Sequence, residues 1–372
     1  MSDFAALGVG KNLIKGLTEL GIITPTEIQR EVIPLLLEGN VDLVAQAQTG
    51  TGKTAAYGLP LLHRIDPSKT YVQGLILCPT RELGQQVAKQ LFKFTKYTEK
   101  IFTEAVYGGP NIEKQISALR RPTQIVVATP GRLIDLVNRE AVDLAQVKTV
   151  ILDEADEMLS MGFKQELHQI LDMLEVVECK WLFSATIPQA IKQIVNQHLS
   201  EDAYKIEVSG SNVVNRDIEH QYLICEEHEK LNVLLRFLSD EKESRGIVFC
   251  KTRSTARKLA KQLIAKNIAA DAIHGDLKQI ERDKVMRAFR NENLQILVAT
   301  DLAARGLDIE ALNFVVHYQL PDKDEYYTHR SGRTGRAGKE GVSLCLVTTS
   351  EKQKLFHYEK LLRISFIQIR QG

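Results

Sequence analysis

A segment that ends at Thr54, AQAQTGTGKT, has the residue types and spacing of a phosphate-binding loop. Gly50 and Gly52 allow the backbone to bend so that consecutive N–H groups face an anion, and the helix predicted after them adds its positive dipole end. Lys53 would then contact the terminal phosphates of a nucleotide, and the Thr54 hydroxyl would bind Mg²⁺. Ala47 stands where the strict motif has its first glycine, so an ordinary surface turn that ends in Gly-Lys-Thr is the alternative.

Two adjacent carboxylates, Asp153 and Glu154, follow the apolar run TVIL. Both therefore emerge at the carboxyl end of a predicted buried strand, at the edge where open α/β sheets bind ligands. Asp153 is the candidate to hold a metal ion, and Glu154 is the candidate to activate a water molecule. Carboxylates that follow a strand are otherwise often helix N-cap residues, and the phosphate loop makes the catalytic interpretation the better supported one.

These residues need elements that position them, and β-branched runs recur through the chain with helical patterns between them. Leu83, Val87, Leu91 and Phe94 follow one another at steps of four, four and three, which indicates the core-facing stripe of a helix. Strands are predicted at residues 41–45, 74–78, 104–107, 125–128, 149–152, 181–183, 247–250, 272–274, 296–299, 314–317 and 343–347. Strands that alternate with helices indicate parallel sheets, so we expect two α/β lobes.

The segment at residues 208–216, VSGSNVVNR, is the predicted linker, because small and polar residues interrupt the periodicity there. The predicted domains are therefore residues 1–207 and 217–372. The chain carries 48 basic and 47 acidic residues, of which 21 and 25 lie before residue 208. The second half is the basic one, and any nucleic-acid surface must be local.

The five cysteines lie far apart without a C-x-x-C pair, and three of them lie in apolar strand-like runs. Buried thiols in a reducing compartment are expected, and metal ligation is the weaker alternative. The N-terminal residues lack a basic region followed by an apolar one, and no stretch approaches roughly 18 uninterrupted apolar residues. We therefore expect a soluble cytoplasmic protein without a membrane segment.

Asp153-Glu154-Ala155-Asp156 spells the motif that names the DEAD-box RNA helicases, and the chain resembles that family in order from Phe4 to about Val347. The other motifs are Gln29 in a G-x-x-x-P-T-x-I-Q context, Pro79-Thr80-Arg81-Glu82-Leu83, Gly108-Gly109, Thr129-Pro130-Gly131-Arg132, Ser184-Ala185-Thr186, Gln279-x-x-Arg282, Ala299-Thr300-Asp301, Arg305-Gly306-x-Asp308 and His329-Arg330-Ser331-Gly332-Arg333-Thr334-Gly335-Arg336. The resemblance implies two tandem RecA-like domains, each a parallel sheet flanked by helices, with ATP and Mg²⁺ as cofactors.

Gln29 is the residue that selects adenine in the family. Thr24 as a cap, Pro25 at the first helical position and Glu27 at the third predict a helix start that places Gln29 in the second turn. A glutamine amide has one acceptor and two donors, which match the adenine edge. Ile22 stands where relatives commonly have an aromatic residue, and without the motif Gln29 would be an ordinary surface residue.

The resemblance implies further nucleotide residues in the second half. Asp308 is expected at the ribose, Arg333 and Arg336 are expected to be arginine fingers that reach the γ-phosphate across a cleft between the lobes, and His329 is expected to link this segment to the first lobe. Two glycines lie between the regularly spaced arginines of this motif, which indicates a close backbone approach, although a solvated basic face is possible. The coupling of nucleotide state to duplex opening is implied for Asp156, Ser184 and Thr186.

The RNA contacts implied by the resemblance are backbone-directed. They fall on Thr80, Arg81, Gly109, Thr129, Gly131 and Arg132 in the first half and on Arg253 and Thr300 in the second. Hydroxyls, N–H groups bared by glycine and guanidinium groups suit phosphate and the 2′-OH and distinguish no base, so binding is expected to be independent of sequence. For Arg253 a simple basic loop, and for Gln279 and Arg282 a solvated pair, are the alternatives.

The function implied is that of a monomeric ATP-dependent RNA helicase, whose two lobes close over ATP, Mg²⁺ and single-stranded RNA and separate or remodel RNA duplexes and ribonucleoproteins locally. Two alternatives remain at this point. One is a DNA helicase of the same superfamily, and the other is an ATP-gated RNA clamp without productive unwinding. The physiological RNA and any protein partners are not identified by the sequence.

Overall fold

The structure, a computed structural model, describes residues 3–48, 50–109, 111–208, 217–241, 244–304, 312–335 and 340–369. The chain divides into two compact units, Met1–Ser211 and Asn212–Gly372. Val208 is buried in the apolar core of the first unit, and its N–H donates to the carbonyl of Gln46. The rest of the predicted linker, residues 209–216, lies outside the described residues.

The first unit alternates strands and helices. Its strands are β1 (Leu43–Gln46), β2 (Gly74–Leu77), β3 (Thr103–Val106), β4 (Ile125–Ala128), β5 (Thr149–Asp153), β6 (Cys179–Ser184) and β7 (Tyr204–Glu207). Its helices are α1 (Asp3–Ala6), α2 (Lys11–Glu19), α3 (Glu27–Glu38), α4 (Lys53–Arg64), α5 (Arg81–Phe94), α6 (Ile112–Leu119), α7 (Pro130–Asn138), α8 (Ala155–Ser160), α9 (Lys164–Asp172) and α10 (Gln189–His198), with a 3-10 turn at Thr95–Tyr97.

The described strands of the first unit form one parallel sheet in the order β3-β4-β2-β5-β6-β1-β7. Successive side chains of a strand point to opposite faces of the sheet. Helices cover both of these faces. In β4, Ile125 and Val127 pack with α2 to α5, whereas Val126 and Ala128 pack with α7 to α10. Burial on both faces explains why the central strands are continuous apolar runs.

The second unit repeats this architecture. Its strands are β8 (Ile218–Ile224), β9 (Gly246–Cys250), β10 (Ala270–Ile273), β11 (Ile296–Thr300), β12 (Phe314–His317), β13 (Gly341–Val347) and β14 (Phe366–Gln368), and its helices are α11 (Lys230–Asp240), α12 (Arg253–Ile264), α13 (Gln279–Arg290), α14 (Asp301–Ala304), α15 (Asp324–Ser331) and α16 (Lys352–Leu362). The sheet order is β10-β11-β9-β12-β13-β8-β14, and every neighbouring pair is parallel.

The predicted fold class, two α/β domains with parallel sheets flanked by helices, is confirmed. The stripe on α5 is also confirmed, since Leu83, Val87, Leu91 and Phe94 are buried. The strands β7, β8 and β14 were not predicted. Each has exposed or half-buried positions, so none has the apolar run of a central strand.

Two other expectations concern the cysteines and membrane-spanning helices. All five cysteines are unpaired and buried, as predicted. Within the described parts of the chain, none of the helices has the length and apolar character needed to cross a membrane.

Candidate functional site

The side chains singled out in the first unit follow strands at the carboxyl edge of its sheet. The phosphate loop follows β1, Asp153 ends β5 and Ser184 ends β6, and these strands are neighbours in the order β5-β6-β1. Gly109, Thr129 and Thr80 follow β3, β4 and β2, which are neighbours in the other part of the sheet. The edge therefore has a nucleotide half (β5-β6-β1) and a second half (β3-β4-β2) with the predicted RNA contacts.

The turn between β1 and α4 depends on two glycines. Gly50 and Gly52 have φ angles of 81° and 89°, which glycine adopts without the steric cost of a Cβ atom. A Cβ on Gly52 would lie 2.4 Å from Nε2 of Gln29, so any other residue at position 52 would displace the Gln29 amide. Gly52 is the N-cap of α4, so Lys53 and Thr54 occupy the first helical positions, where N–H groups lack intrahelical partners and the dipole favours an anion.

Lys53 and Asp153 are buried charged residues with unsatisfied atoms. Lys53 is 7% exposed and Asp153 is 2% exposed. The Nζ atom of Lys53 and the Oδ1 atom of Asp153 have no hydrogen-bond partner among the described residues. Buried polar atoms are nearly always paired, so a buried cation and a buried carboxylate oxygen without partners fit a site that is completed by a ligand. Burial raises the pKa of Asp153, and the nearby Lys53 charge opposes that rise.

The surroundings of Asp153 fit Mg²⁺ rather than a metal held only by protein ligands. Across the described ranges there is no group of three or more His, Cys, Asp or Glu side chains that could hold a metal ion. A cation at Asp153 would therefore take most of its ligands from phosphate and water, with Thr54 as a second protein ligand. Mg²⁺ is usually bound in this way, through one or two protein oxygens.

Tyr57 contacts this site and was not predicted from the sequence. It lies one helical turn after Lys53 on α4 and is fully buried, and its hydroxyl donates to Oδ2 of Asp153 at 2.8 Å. Burial, with the Asp153 charge, raises the pKa of Tyr57 well above its ordinary value, so the hydroxyl keeps its proton and acts as the donor. The spacing of four residues from Lys53 was the available signal, since it places both side chains on one helix face.

Glu154 occupies the turn from β5 to α8. Its backbone is left-handed, with φ 51° and ψ 52°, and it is the N-cap of α8 without a side-chain capping hydrogen bond. Glu154 thus stands at the N-cap position, as the alternative interpretation expected. Its carboxylate does not make the capping hydrogen bond. A non-glycine residue in this conformation costs about 1–2 kcal/mol. Among the described residues, Glu140, Asn267, Glu292 and Arg363 also have positive φ angles.

Asp156, Ser184 and Thr186 are brought together by hydrogen bonds. Oδ2 of Asp156 accepts from the N–H and the hydroxyl of Thr186 at 2.9 and 2.8 Å. Oγ of Ser184 accepts from the N–H of Asp156 at 3.2 Å and donates to the carbonyl of Thr186 at 2.7 Å. These bonds join the start of α8 to the segment after β6.

The predicted start of the helix that contains Gln29 is wrong. The helix α3 begins at Glu27, its N-cap is Thr26, and Gln29 lies in the first turn. The Oε1 atom of Gln29 accepts from the N–H of Thr26 at 2.9 Å, which completes a capping box that overrides the predicted cap at Thr24 with Pro25 at the first helical position.

Gln29 also connects α3 to the phosphate loop. Its Nε2 donates to the carbonyl of Gly52 at 3.0 Å, and the Thr26 hydroxyl donates to the carbonyl of Thr51 at 2.8 Å. One acceptor lone pair and one N–H of the Gln29 amide remain after these bonds. This is the pair of groups that a base edge with one donor and one acceptor requires. Ile22, at the position where an aromatic is common, is half-buried against the core.

The β3-β4-β2 half of the edge presents two helix N-termini. Thr80 caps α5 by accepting from the N–H of Leu83 at 3.3 Å. Thr129 is the N-cap of α7 without a side-chain capping bond. The helix α7 starts with Pro130, Gly131 and Arg132, and a Cβ at Gly131 would meet open space.

Two other predicted RNA residues lie beside these helix starts. Arg81 begins α5, and its guanidinium lies 4.8 Å from the centre of the Tyr107 ring. Gly109, with φ 102°, follows β3. This edge carries two positive helix ends, two arginines and a backbone segment left open by a glycine. Together they form a surface suited to phosphates.

In the second unit, Thr300 ends β11 and is 6% exposed, and Arg253 begins α12. Arg253 forms an ion pair with Asp276, which also pairs with Arg257 at 3.1 Å. Arg253 is therefore an exposed, paired cation at a helix start, which is compatible with both the RNA contact and the simple basic loop.

The arginine-rich segment is organised by a buried ion pair. Arg330 on α15 is 1% exposed, and its Nε and Nη2 donate to the two carboxylate oxygens of Asp301 at 2.5 and 2.7 Å. His329 and Arg333 line a small cavity beside this pair. The ion pair was not predicted, although the motif residues Asp301 and Arg330 were both noted.

The glycines of this segment lie after α15 rather than inside it. The helix ends at Ser331 with Gly332 as its C-cap, and Gly335 has φ 65°. A Cβ on Gly341 would lie 2.6 Å from the backbone nitrogen of Gly335, so the close backbone approach is to the start of β13. Arg336 and Asp308 lie outside the described residues.

The comparisons with known proteins agree with this geometry. The family model of the DEAD/DEAH box helicases matches residues 26–194, and the model of the helicase conserved C-terminal domain matches residues 229–338. The DEAD-box ATP-dependent RNA helicase CshA of Bacillus cereus is 42% identical over 360 residues, which cover 97% of this chain and 68% of that protein. The DEAD-box ATP-dependent RNA helicase RhpA of Helicobacter pylori is 40% identical over 358 residues, with 96% of this chain and 72% of that protein covered.

Solved structures are also similar. The structure of S. cerevisiae Dbp5 bound to RNA and ADP BeF3 has a TM-score of 0.90 and 31% identity, and the match covers 100% of this chain and 96% of that chain.

Proposed function

The chain belongs to the DEAD-box family of ATP-dependent RNA helicases, and on that premise we propose that it binds ATP with Mg²⁺ and single-stranded RNA and uses ATP hydrolysis to separate or remodel RNA duplexes and ribonucleoproteins locally. The observation that carries this proposal is the division of one sheet edge. Its β5-β6-β1 half has the glycine-shaped loop and the unsatisfied Lys53 and Asp153 atoms, and its β3-β4-β2 half has two helix starts with Arg81 and Arg132.

The nucleotide roles follow from the positions of the side chains. Lys53 neutralises the phosphates, and Gln29 presents its remaining donor and acceptor to the adenine edge. Glu154 accepts a proton from the attacking water, since its carboxylate does not cap α8. Thr54 and Asp153 would hold Mg²⁺, which supplies charge neutralisation of the phosphates when bound. Arg333 and Arg336 stabilise the charge that develops on the γ-phosphate, and Asp308 contacts the ribose.

RNA binds through its backbone. The N–H groups at the starts of α5 and α7, with the side chains around them, contact phosphates and 2′-OH groups. Arg253 and Thr300 are the proposed RNA contacts of the second unit. Within the nucleotide half of the edge, the hydrogen bonds among Asp156, Ser184 and Thr186 link the start of α8 to the segment after β6. His329 is assigned to the same coupling of nucleotide state to duplex opening. Closure of residues 1–207 and 217–372 about the linker 208–216 is the proposed source of strand separation.

The cellular setting is also a proposal. Five buried, unpaired cysteines support a reducing compartment such as the cytoplasm. A monomer remains our expectation for the active species.

The test is RNA-stimulated ATP turnover by the full chain, measured with single-stranded RNA and with DNA of the same sequence. We expect RNA to stimulate turnover strongly and DNA weakly, and ATP to be used in preference to GTP. Lys53→Ala should lower stimulated turnover by roughly 100-fold or more, because it removes the cation at the phosphates. Lys69→Ala, at an exposed lysine of the same unit, is the control and should be unchanged.

The two alternatives give different outcomes. Equal stimulation by both polymers would favour a DNA helicase. Turnover without release of a fluorescent strand from an RNA duplex would favour the clamp. Retained turnover in Lys53→Ala would contradict the assignment of the phosphate loop.

A further inference from the structure

Tyr57 is a fully buried tyrosine whose hydroxyl lies among the residues of the nucleotide half. Its ring packs against Phe183, with ring centroids 5.2 Å apart. Its hydroxyl donates to Oδ2 of Asp153 at 2.8 Å. The hydroxyl thus contacts Asp153, one of the two side chains that the proposed function assigns to Mg²⁺.

Packing alone does not account for a tyrosine at this position. The ring fills apolar space between α4 and β6, and a phenylalanine ring would fill the same space. The oxygen atom adds a polar group to a fully buried site, which is favourable only when that group is hydrogen-bonded. Here it donates to Asp153, so what the oxygen adds is the orientation of that carboxylate.

The two oxygens of Asp153 are used differently. Oδ2 accepts from Tyr57, whereas Oδ1 has no partner among the described residues. A carboxylate held at one oxygen no longer rotates freely, so its other oxygen keeps one direction. Thr54 and Tyr57 both lie on α4, at positions i and i+3, so the helix fixes the relative positions of their backbones.

We propose that Tyr57 is a positioning residue for the divalent cation that accompanies the nucleotide: its hydroxyl holds Oδ2 of Asp153 so that Oδ1 of the same carboxylate keeps one direction, toward the cation. The inference rests on the proposed function, because it concerns the same site. Residues that orient metal ligands typically change metal affinity by roughly 10–100-fold when they are replaced. We expect an effect at the lower end for Tyr57, because the carboxylate and the threonine remain in place.

The test separates cation binding from turnover. A fluorescent, non-hydrolysable ATP analogue is titrated into the full chain with saturating Mg²⁺ and again with EDTA, and the ratio of the two dissociation constants gives the factor by which Mg²⁺ tightens nucleotide binding. In Tyr57→Phe we expect nucleotide affinity in EDTA equal to that of the wild type. The factor contributed by Mg²⁺ should fall about tenfold, which corresponds to about 1.4 kcal/mol.

The matched control is Tyr358→Phe. Tyr358 is also fully buried, and its hydroxyl donates to the carbonyl of Pro321 at 3.5 Å in the second unit. Both variants lose a buried hydroxyl, so a purely structural effect would lower the thermal midpoint in both and leave the Mg²⁺ factor unchanged in both. A lowered Mg²⁺ factor in Tyr57→Phe alone supports the positioning role.

A double-mutant cycle tests whether Tyr57 acts through Asp153. In an Asp153→Asn background, Tyr57→Phe should cause no further change in the Mg²⁺ factor. An unchanged factor in the single variant Tyr57→Phe, with normal Mg²⁺-dependent binding in the wild type, would overturn the role of Tyr57 and leave the proposed function intact. A wild-type chain that bound no nucleotide would overturn the proposed function, and the role of Tyr57 with it.

Discussion

At the scale of single residues, Glu154 combines backbone strain with a carboxylate that does not cap its helix. Its φ of 51° lies in the left-handed region, which costs about 1–2 kcal/mol for a residue with a Cβ atom. The strain belongs to the backbone and not to the carboxylate. A change of the carboxylate that keeps the Cβ atom therefore leaves this backbone strain unaltered.

Glu154→Gln is expected to stop hydrolysis while binding persists. The amide is nearly isosteric but does not accept a proton from water, and general-base assistance is worth roughly 10²- to 10⁴-fold in rate. If hydrolysis is what opens the protein, the variant with ATP should release RNA much more slowly than the wild type with ATP. The measurement is the RNA dissociation rate by fluorescence anisotropy after excess competitor is added.

The control for this variant is Glu175→Gln, at an exposed glutamate of the same unit, which should behave as the wild type. Unchanged RNA dissociation together with lost turnover would mean that hydrolysis does not control release. Loss of RNA binding in Glu154→Gln would mean that Glu154 has a structural role.

At the scale of elements, the site depends on helices that start directly after strands. Lys53 begins α4 after β1, Arg81 begins α5 after β2, Pro130 begins α7 after β4 and Ala155 begins α8 after β5. In a parallel sheet these turns lie at the same edge, so the positive ends of the helices are gathered there. The preference of this edge for phosphate follows from the elements as much as from the side chains.

The second unit contains a buried polar cluster that makes its stability depend on pH. His220 on β8 hydrogen-bonds the Tyr327 hydroxyl at 2.6 Å, and the Ser343 hydroxyl bonds both Tyr327 at 3.4 Å and His317 at 3.1 Å. Burial lowers the pKa of His220 to about 4. Burial, with the nearby Arg330 charge, lowers the pKa of His317 well below its ordinary value.

His220→Gln is expected to reduce the loss of stability in acid. The folded protein keeps His220 neutral, whereas the unfolded chain binds its proton near pH 6.5, so stability falls as the pH drops from about 6.5 to about 4. At pH 5 the wild type should have lost about 2 kcal/mol that the variant does not lose. Urea unfolding of the full chain at pH 7.5 and pH 5 measures this difference. An equal loss in both proteins would contradict the prediction.

At the scale of the whole molecule, the proposed catalytic residues are divided between two units. Each unit has its own parallel sheet and its own buried apolar core. The phosphate loop and Glu154 belong to the first unit, and Arg333 belongs to the second. If Arg333 acts on the γ-phosphate, then neither unit is sufficient for fast hydrolysis.

Arg333→Lys is expected to separate binding from turnover. Lysine keeps the charge but loses the planar, forked guanidinium, and an arginine finger is worth roughly 10³- to 10⁵-fold in rate. RNA-stimulated kcat should therefore fall strongly, while nucleotide affinity measured by fluorescence should change little. Arg287→Lys, at an exposed position on α13, is the matched control. A kcat close to that of the wild type in Arg333→Lys would contradict the two-unit mechanism.

The sequence by itself determined the fold class, most strands of both sheets and the family. Runs such as Thr149 to Leu152 predict buried strands because a parallel strand covered on both faces must be apolar throughout. The motifs identify the family because their residue types and order recur together. The relative positions of neighbouring residues in one turn, such as Gly52 and Lys53, are also determined locally, because consecutive residues are covalently joined.

The tertiary structure decided which distant groups meet. Thr26, and not Thr24, caps α3, because Gln29 bonds both Thr26 and the loop at Gly52. The edge strand β7 forms because β1 offers it hydrogen bonds, although three of its four side chains are exposed. Tyr57 and Asp153 are separated by 96 positions in the chain, and a phenylalanine would satisfy the apolar pattern of α4 equally well. Hydropathy patterns record which face of an element is buried, whereas a hydrogen bond between two elements depends on their relative placement, which is set by packing of the whole unit.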